Sequence, residues 1–228
     1  MVTRNRKVAK GTLMWPRASA PPPGSSGSEP HHPGDPEPER PLPHGTPGSA
    51  WPAPTPFDRL FERRILFLRG SIEDTRADEL CAELVALDAQ GDEEVTLFID
   101  SLGGASHGML AIHDVIQTMG APVRTRCVGV AASAAAVLLA TGTGPREATE
   151  NARVMLHQPS GGVEGTTADI AIQADEMARL KRRVEELLAS RTGQPVERIR
   201  ADTDRDLWLS ADEAMEYGLI DRVVRSAR

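Results

Sequence analysis

From Arg64 onward, short apolar runs alternate with stretches whose apolar residues recur at helical spacing. Ile65-Leu-Phe-Leu68 is a compact apolar run closing at Gly70, the pattern of a buried strand. Across Thr75–Ala89 the apolar positions are Leu80, Leu84 and Leu87, which predicts a helix with one buried face. Val95–Ile99 predicts the next strand, closed by a turn at Asp100-Ser-Leu-Gly-Gly104. A helix follows over Met109–Met119, with Leu110 or Ile112, Val115 or Ile116, and Met119 on its apolar side. Val123–Val128 alternates apolar residues with Arg124 and Arg126, again a strand. The small residues of Ala131–Ala140 come next, then a strand at Arg153–Leu156. Thr166–Arg191 predicts a long helix, and Ser210-Ala-Asp-Glu213 is a capping box that opens another. Leu219–Val224 closes the chain as a strand. Such alternation predicts an α/β fold, with crossover helices on a mainly parallel sheet.

Ahead of Phe57 the pattern disappears. Of 18 prolines, 14 precede Phe57, and Ala20–Pro56 holds Pro, Gly, Ser and His with almost no large apolar side chain. Such a segment cannot offset its ordering entropy by burial, so residues 1–56 are expected to be a disordered, Pro-rich extension and 57–228 the folded domain. Arg4, Arg6, Lys7, Lys10 and Arg17 precede the first acid, Glu29, which faintly resembles a transit peptide, but Gly11–Trp15 is too short for a secretory apolar region. The domain carries 20 Lys and Arg against 29 Asp and Glu, a poor start for nucleic-acid binding. No apolar run is long enough to predict a membrane span. Cys81 and Cys127 make no disulfide framework, as in an intracellular enzyme.

Three places have residues suited to chemistry. Ser133 lies in Gly129-Val-Ala-Ala-Ser-Ala-Ala-Ala136, between a strand and a helix of tiny residues. There it is either a nucleophile whose helix start offers N–H groups to an oxyanion, or the helix cap of a packing element. The Gly-x-Ser-x-Gly pattern is not met, because position 135 is alanine. His157 ends an apolar strand and enters a Pro/Gly loop, a rigid mount for a general base or simply a loop histidine. His107 and His113 sit in or beside a helix, where a solvated or half-buried role is expected; His31, His32 and His44 fall in the extension. Asp202, Asp204 and Asp206 precede the capped helix; any of them suits the orienting carboxylate of a triad, and all three suit a solvated loop. The turn at Ser101–Gly104 is a source of backbone N–H groups or only a tight turn. No residue cluster suggests a metal site. A Ser–Lys pair is disfavoured, since Lys181, on the long helix, is the only lysine after the extension.

Taken together, these segments resemble the proteolytic subunit of the ATP-dependent Clp protease, from Phe57 to the end of the chain. Arg153-Val-Met-Leu-His-Gln-Pro159 is similar to that family's histidine motif and Cys127-Val-Gly-Val-Ala-Ala-Ser133 to its serine motif. Asp100-Ser-Leu-Gly-Gly104 is similar to its substrate-binding turn, and Asp202–Asp206 with Leu209–Asp221 to its C-terminal signature. The resemblance implies a crotonase-like α/β fold and a serine endopeptidase that hydrolyses unfolded proteins and peptides inside a ring-shaped chamber. It implies Ser133 as nucleophile, His157 as general base and Asp206 as orienting acid. Gly103 and Gly104 would bind substrate, with the N–H groups of Gly104 and Ala134 forming the oxyanion hole. Asp204 and Arg205 match positions of contact between rings.

The same resemblance implies two stacked heptameric rings, joined through Thr166–Arg191 as a projecting helix, and possible mixing with paralogous subunits. Ile170, Met177 and Val184 repeat every seven residues, with Leu180 and Leu187 alongside, an apolar seam consistent with that role. The implied partner is an AAA+ Clp ATPase, which uses the ATP; this chain would need no cofactor, and its implied location is the bacterial cytoplasm. Leu102 stands where the family has proline, Ala134 and Ala135 where it has Met-Gly, and the stretch from Ser133 to His157 is a residue short. The family's start is not recognisable, and Thr96 and Thr118 replace aromatics of its ATPase-docking cleft, with Phe98 kept. Those departures define the alternative, a catalytically weak or inactive structural subunit of a mixed ring. An acyl-CoA enzyme on the same fold would not need the ordered Ser, His and Asp.

Overall fold

The computed structural model describes residues 53–226 except Val163. Of the segment expected to be an extension, residues 1–52 lie outside the described residues. A short helix, α1 (Pro56–Phe61), comes first, with proline at its start and reciprocal capping bonds between Thr55 and Asp58. Strand β1 (Ile65–Ile72), helix α2 (Asp74–Asp88), strand β2 (Val95–Gly104), helix α3 (Ser106–Thr118) and strand β3 (Val123–Ala132) follow. Next come α4 (Ala134–Ala140), β4 (Arg146–Thr149), β5 (Arg153–Leu156) and the 26-residue α5 (Thr167–Thr192). The described chain closes with α6 (Val196–Asp202), β6 (Leu207–Ser210), α7 (Ala211–Tyr217) and β7 (Arg222–Val224).

Five strands lie parallel in the order β1-β2-β3-β4-β7, so the α/β expectation holds. Strand β5 joins the far half of β3 in parallel, and β6 runs antiparallel to β5. Leu80, Leu84 and Leu87 of α2 are fully buried, as their spacing predicts. In α3 the open choices resolve to Ile112 and Ile116, while Leu110, Val115 and Met119 pack partly buried at the margin. Each fully buried Leu or Ile contributes about 1.5–3 kcal/mol through area removed from water.

The sheet breaks register at one level, and that break aims the strand ends. Register shifts fall between Arg69 and Ser71 in β1 and between Ile99 and Ser101 in β2. Between Cys127 and Val130, β3 exchanges its partner β4 for β5. Gly129 occupies that exchange with φ +86°, and a Cβ there would stand 2.6 Å from Asp100 Oδ1. Asp100 in turn accepts a 3.3 Å hydrogen bond from the Val130 N–H. The Asp100–Gly104 segment, expected as a turn, is therefore the far half of β2, with Gly103 opposite Ser71 and Gly104 opposite Ile72.

Two features concern the surface. The apolar seam of α5 is divided: Val184, Leu187 and Leu188 are buried in the chain's own core, whereas Ile170 and Ile172 are 42% and 62% exposed. The first half of α5 thus stands away from the core as a projecting helix. On the sheet, Glu147 of β4 is fully buried between Arg124, Arg126 and Arg222, at 2.6–2.7 Å. The fold therefore gathers arginines that are scattered along the sequence, and Glu147 with Glu94 takes up their charge. Burial alone pushes the Glu147 carboxyl up, but hydrogen bonds from Arg126 and Arg222 and the charges of Arg126 and Arg124 bring it below its ordinary value.

Candidate active site

Strand register brings the candidate residues together. In the antiparallel pair, Leu156 of β5 lies opposite Leu207 of β6. His157 and Asp206 are the residues that immediately adjoin this last pair. In the parallel pair, Ala132 of β3 lies opposite Met155 of β5, so Ser133 emerges beside the strand that carries His157. A 2.9 Å hydrogen bond from the Ser133 N–H to the Met155 carbonyl fixes that placement. His157 Nε2 is then 2.8 Å from Ser133 Oγ, and Nδ1 is 3.4 Å from Asp206 Oδ1. The first distance is a hydrogen bond; the second is an approach that a small shift would close.

Ser133 has φ 55° and ψ −123°, a conformation non-glycine residues rarely adopt and hold only under constraint from their surroundings. Although it occupies the cap position of α4, its side chain makes no capping bond. The hydroxyl meets His157 Nε2 instead. The neighbours Ala132, Ala134, Ala135 and Ala136 are all buried, and their small size lets three strands and a helix converge.

The end of β2 forms the other wall. Gly103 packs so closely on the elbow that a Cβ would lie 2.7 Å from the Ala132 carbonyl oxygen, 2.9 Å from Ser133 Cβ and 3.0 Å from the Ala134 nitrogen. Its φ of +92° also excludes other residues at little strain. The Gly103 N–H donates to Ser101 Oγ at 3.1 Å, and the Ser101 hydroxyl donates to the Gly70 carbonyl at 2.5 Å. Ser101 is a support that sequence reasoning missed. Its signal was the alternation Val95, Leu97, Ile99, which makes position 101 inward-facing; it is 2% exposed. Leu102, by contrast, is 69% exposed beside the cleft lined by Arg69, Asp100 and Val130.

Of the three loop acids, only Asp206 meets a histidine. Asp202 accepts from the Tyr217 hydroxyl at 2.9 Å and from Arg198 Nε at 3.3 Å, and Asp204 is exposed. Asp204 and Arg205 line a cleft with His157, Gln158, Pro159, Ser160 and Thr203. Neither remaining described histidine enters the site. His107 contacts Asp74 on the surface, and His113 is buried in α3, where desolvation lowers its pKa. Burial pushes the Cys127 thiol up to about 12 and also raises that of Cys81, so neither is primed as a nucleophile. Among the described residues no group of three or more His, Cys, Asp or Glu is arranged to hold a metal.

A family model for the Clp protease matches residues 51–227. The chain is 47% identical over 171 residues to "ATP-dependent Clp protease proteolytic subunit 2" of Corynebacterium jeikeium, covering 74% of this chain and 82% of that relative. It is equally identical over 171 residues to "ATP-dependent Clp protease proteolytic subunit 3" of Rhodococcus jostii, covering 74% and 85%. A relative from Frankia casuarinae, "ATP-dependent Clp protease proteolytic subunit 1", is 45% identical over 174 residues, covering 75% and 82%.

Proposed function

The chain belongs to the Clp protease family as a serine-type proteolytic subunit, and from that premise we propose that Ser133, His157 and Asp206 carry its endopeptidase chemistry. Ser133 Oγ attacks the scissile carbonyl while His157 Nε2 takes its proton. Asp206 steadies the ring and stabilises the imidazolium that forms. The N–H groups of Gly104 and Ala134 are the donors assigned to the developing oxyanion, and the bare Gly103 lets β2 close against the elbow that carries Ser133 and Ala134. His157 then protonates the leaving amine, and water releases the acyl group from Ser133 by the same steps. The single observation that carries this reading is the 2.8 Å contact between His157 Nε2 and Ser133 Oγ at a serine held with φ 55°. An inactive structural role is not favoured, because the relatives are named as proteolytic subunits. Hydrolysis of a fluorogenic peptide by the wild type, and its loss in Ser133→Ala with assembly unchanged, tests the assignment.

The reading extends to partners. Two stacked heptameric rings enclose the sites; the outward half of α5, with Ile170 and Ile172, and the exposed pair Asp204 and Arg205 support the ring contact. The numbered subunits among the relatives support mixing with paralogues. An AAA+ Clp ATPase delivers unfolded protein and consumes the ATP, so this chain itself takes no cofactor. Phe98 lies between Phe67, with ring centres 5.1 Å apart, and the Arg126 guanidinium, 5.3 Å away. With threonine at positions 96 and 118, that docking surface is more polar than the family's, and the ATPase is held more weakly. A cytoplasmic location fits; no described helix is long and apolar enough to cross a membrane.

A further inference from the structure

Asp206 is poorly secured by its own contacts. Its side chain is 60% exposed, it approaches His157 Nδ1 only to 3.4 Å, and it lies in a short connection between α6 and β6. The aim of its carboxylate therefore depends on where α6 holds that connection. Helix α6 has seven residues, too few to persist without tertiary support. Ile199 anchors its apolar side at 0% exposure. On its polar side Arg200 grips Glu185 of α5, through Nε at 3.1 Å and Nη2 at 2.8 Å.

The same segment is fastened to the histidine strand. The Gln158 N–H donates to the Thr203 carbonyl at 3.1 Å, and Gln158 Nε2 donates to the Arg200 carbonyl at 3.3 Å. The Thr203 hydroxyl closes the end of α6 on the Ile199 carbonyl at 2.7 Å. Gln158 directly follows His157, and Thr203 comes three residues before Asp206. The main chains bearing base and acid are thus clasped to each other, and Arg200 ties the clasp to α5. Glu185 is an expensive choice for stability alone: its side chain is 3% exposed and its Oε1 has no hydrogen-bond partner among the described residues. A well-packed apolar pair would hold two helices as firmly. Two guanidinium N–H groups converging on the single oxygen Oε2 supply fixed orientation instead.

We infer that Glu185, Arg200 and Gln158 are positioning residues that set Asp206 against His157. The inference rests on the triad reading above. Arg200→Lys keeps the charge and loses one of the two bonds to Oε2, so the kcat for peptide hydrolysis should fall about tenfold with KM nearly unchanged, less than the roughly 10²-fold that a full 1 Å misplacement can cost. Gln158→Ala, at a half-buried surface amide, should lower kcat severalfold without unfolding and serves if Arg200→Lys proves unstable. Both losses should vanish when the rate of Ser133 acylation is measured in an Asp206→Asn background, because an asparagine has no orienting role left to lose. Equal losses in both backgrounds, or no loss in either, would overturn the positioning role. Full activity of Asp206→Asn by itself would instead sink the triad reading, so the two failures are distinguishable.

Discussion

Ser133, with its left-handed φ, is held by the Met155 carbonyl on one side and Gly103 on the other. This tightness makes specific substitutions informative. Gly103→Ala must displace the Ala132 carbonyl or the elbow itself, so peptide hydrolysis should fall about 10²-fold or more while circular dichroism stays native. An active Gly103→Ala would mean that β2 does not wall the site. Asp206→Asn should lower kcat by about 10⁴ through the wrong histidine tautomer and an unsupported imidazolium. At this scale the sequence was partly legible. A serine between a strand and tiny residues, and a histidine at a strand end, are local patterns. The choice among Asp202, Asp204 and Asp206 is not, because it depends on Tyr217 of α7 engaging Asp202 and on which acid the fold brings beside His157.

Elements with a long period were readable, and those made by pairing were not. Helices α2 and α5 show their apolar spacing over many residues, whereas β4 reads Arg-Glu-Ala-Thr and β6 spans four residues. Both exist because neighbouring strands supply their hydrogen bonds, which no local pattern encodes. Missing β6 hid the pairing with β5 that ends beside His157 and Asp206; the short α1 and α6 were hidden by length alone. The buried Glu147 gives a pH prediction at this scale. Its folded pKa lies below the ordinary 4.5, so its stabilisation is complete above that value and is lost as pH falls through the lower, folded one. Thermal melts of the wild type should drop more steeply below about pH 4.5 than those of Glu147→Gln. Parallel slopes would show that the arginine cluster does not tune this carboxyl.

For the whole molecule, the outward half of α5 is expected to be covered by another copy. Ile170→Asp with Ile172→Asp should split the rings without lowering the melting temperature of the subunit by more than a few degrees, because neither side chain is in the core. Sizing that finds the wild type as a stable 24.5 kDa species at micromolar concentration would contradict this. Residues 1–52 are expected to contribute little to stability, having few large apolar side chains, so a deletion that stops there and spares the Thr55 cap of α1 should leave the melting temperature nearly unchanged. The central claim is that Ser133 is an activated nucleophile, and a fluorophosphonate probe tests it most directly. Mass spectrometry of the labelled, assembled protein should find the adduct on the Ser133 peptide, with Cys81 and Cys127 unmodified and no adduct in His157→Ala. No adduct on Ser133 in the assembled rings, or undiminished labelling without His157, would contradict the account.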